Sequence, residues 1–237
     1  TAIQSLGLRD VAEFEPDEKL IGGPVTPEDA LVKMKVNEFT DEVSRDSSTP
    51  GGGSIAALSG SIGAALSSMV CNLSTGGRGT ADIDEVLIPV ADEAQELKDK
   101  LMKAVDDDTN AFDQYMEAKR MPKSTKEERE KRKKAMQEGL KHAVEVPMDT
   151  ARDSARVIDL AEKAAEHGKK DAVSDALVSA QMAYSGIIGG IANVKINLGD
   201  IKDEEFKEEM LSECDRLEEE YKEKLDRVIE IAENRLK

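Results

Sequence analysis

The sequence has no tryptophan, three tyrosines and four phenylalanines, so aromatic residues make up only 3% of it. A core without rings has to be filled by Leu, Ile, Val, Met and Ala, which favours close packing of helix against helix. Cysteine is equally sparse. Cys71 and Cys214 lie in helix-like segments with no metal-ligand spacing, so reduced thiols and an intracellular, cytoplasmic setting are expected. The only histidines, His142 and His167, form no motif with each other or with a cysteine. His167 precedes Gly168, where a cation at a helix C-terminus is expected. Metal binding and Ser-His-Asp chemistry are therefore not expected. Basic charge is also in deficit: 33 Lys and Arg face 50 Asp and Glu, for a formal net charge of -17. That balance lacks the basic footprint of a nucleic-acid binder and would be repelled by an acidic membrane surface.

What is present suits amphipathic helices. The 237 residues are 39% hydrophobic and 35% charged, long enough for one large domain with a buried core. Residues 1–25 show no sustained period and end in a Gly-Gly-Pro break, which reads as a linker or the tail of a preceding domain. The first residue is Thr1 rather than Met, as expected of a processed chain or a piece of a longer one. The helical domain is expected over 26–237. A first helix is expected at Thr26-Pro27-Glu28-Asp29, with a second start at Asn37.

The most unusual segment is TPGGGS (Thr49 to Ser54) followed by IAALSGSIGAALSSMVCNLS, which carries no charge. Its large apolar residues, Ile55, Leu58, Ile62, Leu66, Met69, Val70 and Leu73, recur at helical spacing on a narrow stripe. Ala56, Gly60, Ala64 and Ser68 form a row of small residues. The length is near that of a membrane span, but the serines make it too polar, and a helix buried by other helices fits better. After the loop Thr75 to Gly79, long helices are expected from Asp82 to Arg120, from a capping box at Ser124-Thr125-Lys126-Glu127 to His167, from Asp171 to Leu198, and from Asp203 to Leu236. Pro147 is expected to kink or interrupt the second of these. No convincing strand alternation occurs, so the fold class is all-α, an antiparallel bundle of long helices around a buried small-residue helix.

Three constellations could carry chemistry. Gly51, Gly52, Gly53 and Ser54 open a helix, where exposed amides and the positive end of the dipole can hold a carboxylate or phosphate. No Lys follows, so this is not a phosphate-binding P-loop. The run Asp106-Asp107-Asp108 fans about 100° per residue around a helix, so the three cannot all face inward. Val105, Ala111, Phe112 and Tyr115 surround it with apolar side chains, which places at least one carboxylate near the core, with a raised pKa suited to proton transfer. A solvated acidic face is the simpler alternative for the whole run. Third, Asn72, Asp175, Asn193 and Asn197 punctuate buried-looking helices, where structural hydrogen bonds explain them about as well as a ligand does.

Taken in order, these pieces resemble a known family. Thr49-Pro50-Gly51-Gly52-Gly53-Ser54, Gly63-Ala64-Ala65-Leu66, Ser68-Met69-Val70, Val105 to Phe112, Pro122-Lys123-Ser124-Thr125, Gln137-Glu138-Gly139-Leu140, Val146-Pro147, Ser174-Asp175-Ala176 and Asn193 to Leu198 are similar to the C-terminal half of the formimidoyltransferase-cyclodeaminase family, which includes stand-alone methenyltetrahydrofolate cyclohydrolases. The resemblance spans roughly residues 34–210. Ser5-Leu6-Gly7-Leu8 and Phe14-Glu15-Pro16 resemble the junction that follows the transferase half. One departure is clear. After Asn72-Leu73 the family commonly has a basic pair and then an aromatic, whereas here Gly77 and Thr80 stand in place of one basic residue and the aromatic.

The resemblance implies a one-carbon folate enzyme without a metal. Cyclodeamination converts 5-formimidoyltetrahydrofolate into 5,10-methenyltetrahydrofolate and ammonia; the alternative is cyclohydrolysis of the methenyl compound. A third reading, favoured by the Gly77/Thr80 loop, is a non-catalytic domain that binds folate or assembles. Asp108 is the first candidate for acid–base work, followed by Asp106 and Asp175. Asp108, with Asp106 as second choice, is expected to face a pocket that also contains Asp175 or Asn197. Gly51, Gly52, Gly53, Ser54, Asn72, Arg78, Lys123, Asn193 and Asn197 are candidates for substrate contact, with Arg78 and Lys123 suited to the anionic glutamate tail. The implied partners are the tetrahydrofolate substrate, a second copy in a homodimer or higher even oligomer, and a formimidoyltransferase domain or subunit. Neither nucleic acid nor membrane is among them.

Overall fold

The computed structural model describes residues 30–237. The expected linker at 1–25 and helix start at Thr26 lie outside the described residues. Among the described residues there is no strand. Six α-helices follow one another: α1 (Val36–Val43), α2 (Gly52–Ser74), α3 (Ala81–Arg120), α4 (Lys126–His167), α5 (Val173–Asn197) and α6 (Glu204–Leu236). Short 3-10 turns at Leu31–Lys33, Lys170–Ala172 and Leu198–Asp200 frame them.

Helix α2 sits in the centre, packed against α3, α5 and α4, while α6 covers the outer side of α4 and α5. Small residues make this possible. Ala56, Ala57, Gly60, Gly63 and Ala64 are buried along α2, and Gly186 and Gly190 along α5. A Cβ on Gly63 would stand 2.8 Å from the Ser179 carbonyl, so the two backbones meet with no side chain between them. Helices α2 and α5 are long and apolar enough to cross a membrane by composition, but here they lie side by side in the bundle. Their hydroxyls find partners inside it: the Ser61 hydroxyl donates to the Lys98 carbonyl at 2.9 Å, Ser67 and Ser179 share a 2.8 Å bond, and Ser179 reaches the Gly63 carbonyl at 2.6 Å. Cys71 and Cys214 are free and buried, and burial pushes both thiols up to about 11.

The helix termini follow ordinary capping chemistry, with shifts from the sequence expectation. The box that opens α4 uses Thr125 and Glu128 rather than Ser124 and Glu127. The Thr125 hydroxyl accepts from the Glu128 N–H at 3.1 Å, and the Glu128 carboxylate accepts from the Ser124 and Thr125 N–H groups at 2.8 and 3.0 Å. The side chain of Asp203 caps α6 through the Phe206 N–H at 3.2 Å. At the C-terminus of α4, the Arg235 guanidinium donates to the carbonyls of Ala165, Glu166 and Gly168, supplying the cation expected of His167.

Pro147 does not interrupt α4, which runs unbroken from Lys126 to His167 with that proline buried inside it. The reason is visible one turn earlier. A proline has no N–H, so the carbonyl four residues back loses its helical donor. That carbonyl belongs to Ala143, and the Asn197 side-chain amide donates to it at 2.6 Å. Asn197, a candidate for substrate contact, thus replaces the missing bond from the end of α5.

Among the described residues, one buried side-chain polar atom has no partner. The Ser154 hydroxyl on α4 lies between Gly60 of α2 and Gly186 of α5, and a Cβ at either glycine would come within 2.4 Å of it. Ser154→Ala removes an unsatisfied group that costs about 1–3 kcal/mol, so its Tm should equal or exceed that of the parent, whereas Gly186→Ala should lower it. Asn197→Ala leaves the Ala143 carbonyl unpaired and should destabilise by about 1–3 kcal/mol. In a double-mutant cycle with Pro147→Ala most of that loss should vanish, because the backbone N–H restored at position 147 takes over the bond; strictly additive effects in urea unfolding would contradict it.

Candidate functional site

Helix α2 begins level with Asp108 of α3, and the residues at that junction make the candidate site. Gly53 carries no side chain, and the carboxylate of Asp108 on α3 occupies the space: a Cβ on Gly53 would lie 2.0 Å from the Asp108 Oδ1. The Ser54 hydroxyl donates to Asp108 Oδ2 at 3.1 Å and lies 3.5 Å from the Thr109 hydroxyl. Asp108 therefore faces the positive end of α2, where unpaired N–H groups favour an anion. Burial nevertheless dominates and pushes its carboxyl above the usual carboxylate value; hydrogen bonds from the Ser54 hydroxyl and N–H pull only partly back. A carboxyl held this way can take up and release a proton nearer neutral pH than an exposed aspartate can.

On the other side of the α2 N-terminus a cleft of about 550 Å³ opens over Gly51 and Gly52, with Ile55, Ala56, Ser59, Ser185 and Gly189 on its walls. Asn193 closes in here. Its amide would lie 3.4 Å from a Cβ on Gly52, and it donates to the Gly189 carbonyl at 2.8 Å. The Thr49–Pro50 peptide that leads into the turn is cis. Asp108, Gly51, Gly52, Gly53, Ser54 and Asn193 thus share one end of α2, and Asn197 lies one turn further along α5.

The other candidates are elsewhere. The Asp106 carboxylate accepts from the Leu31 N–H at 2.8 Å and ties the first 3-10 turn to α3. Asp107 pairs with Lys103 on the surface. Asn72 lies at the far end of α2, where its amide donates to the Ser68 hydroxyl at 3.3 Å beside Gln95, whose amide donates to the same oxygen at 2.8 Å. Asp175 belongs to the first turn of α5, one turn before Ser179, which pairs with Ser67. Arg78 is exposed in the loop beyond Ser74. Since α2 has 23 residues, about 33 Å of helix separates its two ends. Within one chain Asp175, Asn72 and Arg78 do not meet Asp108, so Asp175 is not its neighbour in a pocket; Asn197, the other expected neighbour, donates to the Ala143 carbonyl. Lys123 is exposed at the turn joining α3 to α4.

The Gly77 and Thr80 departure has a local explanation. The Thr80 hydroxyl accepts from the Gly77 N–H and donates to the Gly77 carbonyl, both at 3.0 Å. A Cβ at 77 would stand 3.2 Å from the Thr80 methyl, so the two residues fit each other as a closed turn. Gly76 and Gly79 take the left-handed φ values of 76° and 83° that this turn requires. Among the described residues no three His, Cys, Asp or Glu side chains gather as a metal would need.

Known proteins resemble this chain in sequence and fold. A family profile described as Formiminotransferase-cyclodeaminase matches residues 35–216, nearly the span over which the motifs recur. The formimidoyltransferase-cyclodeaminase of Gallus gallus is 39% identical over 98% of this chain, which spans 44% of that relative's length. A methenyltetrahydrofolate cyclohydrolase of Methylorubrum extorquens is 40% identical over 77% of the chain and 88% of its own length. The crystal structure of a formiminotetrahydrofolate cyclodeaminase from Thermotoga maritima superposes with a TM-score of 0.77 at 30% identity, covering 86% of this chain and 98% of that one. With more than half of its length matched by the profile, the chain belongs to the formiminotransferase-cyclodeaminase family.

Proposed function

We propose that the chain is a formimidoyltetrahydrofolate cyclodeaminase that closes 5-formimidoyltetrahydrofolate to 5,10-methenyltetrahydrofolate and releases ammonia. The observation that carries the reading is the Asp108 carboxyl, raised in pKa and held against Gly53 and Ser54 at the mouth of α2. In this reaction N10 attacks the carbon of the protonated formimidoyl group, an amidinium, and loses a proton, giving a carbon bonded to N5, N10 and an amino group. The amino nitrogen then takes a proton and leaves as ammonia, and the carbon remains as the methenyl bridge. One carboxyl can accept the first proton and return it to the leaving nitrogen. As a carboxylate it also offsets the positive charge of the methenyl amidinium.

A cyclohydrolase is the second reading, supported by the 40% identity to the Methylorubrum extorquens enzyme. The same carboxyl would there activate water. The cyclodeaminase reading is preferred because the Gallus gallus relative aligns over 98% of the chain, so the similarity extends into the first residues, where the transferase junction is expected. A formimidoyltransferase domain or subunit is the matching partner, in the cytoplasm.

A homodimer completes the reading. Ile62, Met69 and Leu73 of the uncharged α2 and Val178 of α5 are 39–50% exposed, a surface that a second copy would cover. Ile62, Leu66, Met69 and Leu73 follow helical spacing along one stripe. If two copies of α2 cross antiparallel with the two-fold axis at Leu66, each Ser54 falls opposite the partner's Arg78. The candidates that one chain keeps about 33 Å apart would then meet across the interface.

Three outcomes are expected. First, the protein should produce methenyltetrahydrofolate absorbance from the formimidoyl substrate, and Asp108→Asn should lower kcat at least tenfold, toward the ~10²–10⁴-fold typical of lost acid–base catalysis. Unchanged kcat would remove Asp108 from the chemistry. Second, because folding raises the Asp108 pKa, the folded state binds more protons than the unfolded state between the ordinary value near 4 and the raised one, so ionisation costs stability as pH rises through that window. Relative to Asp108→Asn, the parent should lose stability as pH increases from about 4; parallel curves in urea would refute the shift. Third, Ile62→Asp with Met69→Asp should yield monomers in light scattering with most activity gone; a fully active monomer would exclude the shared site.

A further inference from the structure

We propose that a basic cleft at the overhanging end of α3 and α4 binds the glutamate carboxylates of the folate, with Arg132, Lys133 and Lys202 as the residues that hold them; this rests on the folate reading above. The overhang arises because α2 starts at Gly52, level with Asp108, whereas α3 continues to Arg120 and folds back as α4. The α3 face that α2 covers below Asp108 has no α2 above it. Along that face the residues recur at helical spacing: Asp108, Phe112, Tyr115 and Lys119. Two of the chain's few aromatic rings therefore follow the carboxyl, and cations follow the rings.

The cleft there has a volume of about 350 Å³ and is lined by Tyr115, Met136, Leu140, Arg132, Lys133 and Lys202, together with Gln137 and Asp200. Its cations come from different elements. Arg132 donates from Nε and Nη2 to the Lys119 carbonyl at 3.1 and 2.9 Å, which sets the guanidinium at the end of α3. The Gln137 side chain donates to the Asp200 carbonyl at 3.0 Å and accepts from the Lys202 N–H at 2.9 Å, fixing the backbone at Lys202 against α4. Neither Lys133 nor Lys202 is ion-paired among the described residues, whereas Lys131 and Lys134 beside them pair with Glu127 and Glu138. Among the described residues Asp200 is the one acid on the wall, against three cations.

The charge contrast with the rest of the chain is large. Residues 119–134 contain nine Lys or Arg and three Glu in a protein of net charge -17. A solvated helix end in such a chain needs no surplus of cations, and an anionic ligand does. Tyr115 lies seven residues from Asp108, about 10 Å along the axis, and Lys119 eleven residues, about 16 Å. A carboxyl at the reacting carbon, an apolar wall for a benzoyl ring and cations for carboxylates thus stand in the order in which a folate presents those groups. Arg78 and Lys123, the cations singled out from the sequence, lie outside this cleft.

The test uses p-aminobenzoyl-glutamate and its triglutamate as probes, titrated calorimetrically into the full chain. The parent should bind both, the triglutamate more tightly, with affinity that falls as salt rises. Lys133→Gln with Lys202→Gln should weaken binding at least tenfold and flatten the salt dependence, while Lys131→Gln, which breaks a surface pair, should leave binding as it was. Circular dichroism checks that the variants fold. Steady-state kinetics should show KM rising by more than kcat falls, because a tail contact acts on bound substrate and transition state alike. No probe binding by the parent, or equal binding by the double variant, overturns the cleft. Turnover by the parent with KM unchanged in the double variant overturns the cleft and leaves the cyclodeaminase reading standing. Probe binding lost in the double variant, from a parent that turns over neither folate, supports the cleft and overturns the enzyme reading.

Discussion

Everything in this bundle depends on how closely α2 is approached by its neighbours. A central helix without charge can pack against three others only if its small residues admit their backbones and its hydroxyls are paired there. Ser61, Ser67 and Ser179 meet that demand through 2.6–2.9 Å bonds to the carbonyls of α3 and α2 and to each other. Ser154 is the exception, gripped between Gly60 and Gly186 where three helices converge with no acceptor in reach. Close approach takes precedence there over satisfaction of one hydroxyl. The same closeness operates at the N-terminus of α2, where the missing side chain of Gly53 is what lets the Asp108 carboxylate reach the Ser54 hydroxyl.

Most of the fold was legible in the sequence because helical period, caps and loss of charge are local signals. The long helices begin and end within a few residues of their expected bounds, and the uncharged segment is the central helix. Where the structure departs from expectation, the cause is tertiary. Pro147 reads as a break because its missing hydrogen bond is visible in sequence, while the amide that replaces it comes from Asn197, on another helix. The capping box slips by one residue because Ser124 and Thr125 are both competent caps, and only the path of the chain decides between them.

Of the candidate site, the inward turn of Asp108 was legible and the grouping of the candidates was not. Apolar neighbours around Asp108 correctly mark it as the inward member of the acidic run, since Asp107 turns to Lys103 and Asp106 to the Leu31 amide. The sequence could not show that Asp175 and Arg78 stand at the opposite end of α2, because motif order along a chain carries no information on which end of a bundle each motif occupies. The basic cleft is hidden in the sequence for a related reason. A net charge of -17 conceals a local surplus, and Lys202 joins Arg132 only through the turn that Gln137 secures.

The placement of Asp108 also sets stability against chemistry. A carboxyl whose ionisation is opposed by burial is a cost to the folded state, and an asparagine could keep the hydrogen bond from Ser54 without it. Structure alone therefore gives no reason for an acid at this position. The rest of the α2 terminus is built to accept it all the same: Gly53 leaves room, Ser54 donates, and the helix dipole favours the charge that burial opposes. With burial the largest of these influences, the carboxyl passes between its two protonation states at a higher pH than an exposed aspartate does. A structural cap would need only one of those states, whereas proton transfer to and from a substrate nitrogen uses both.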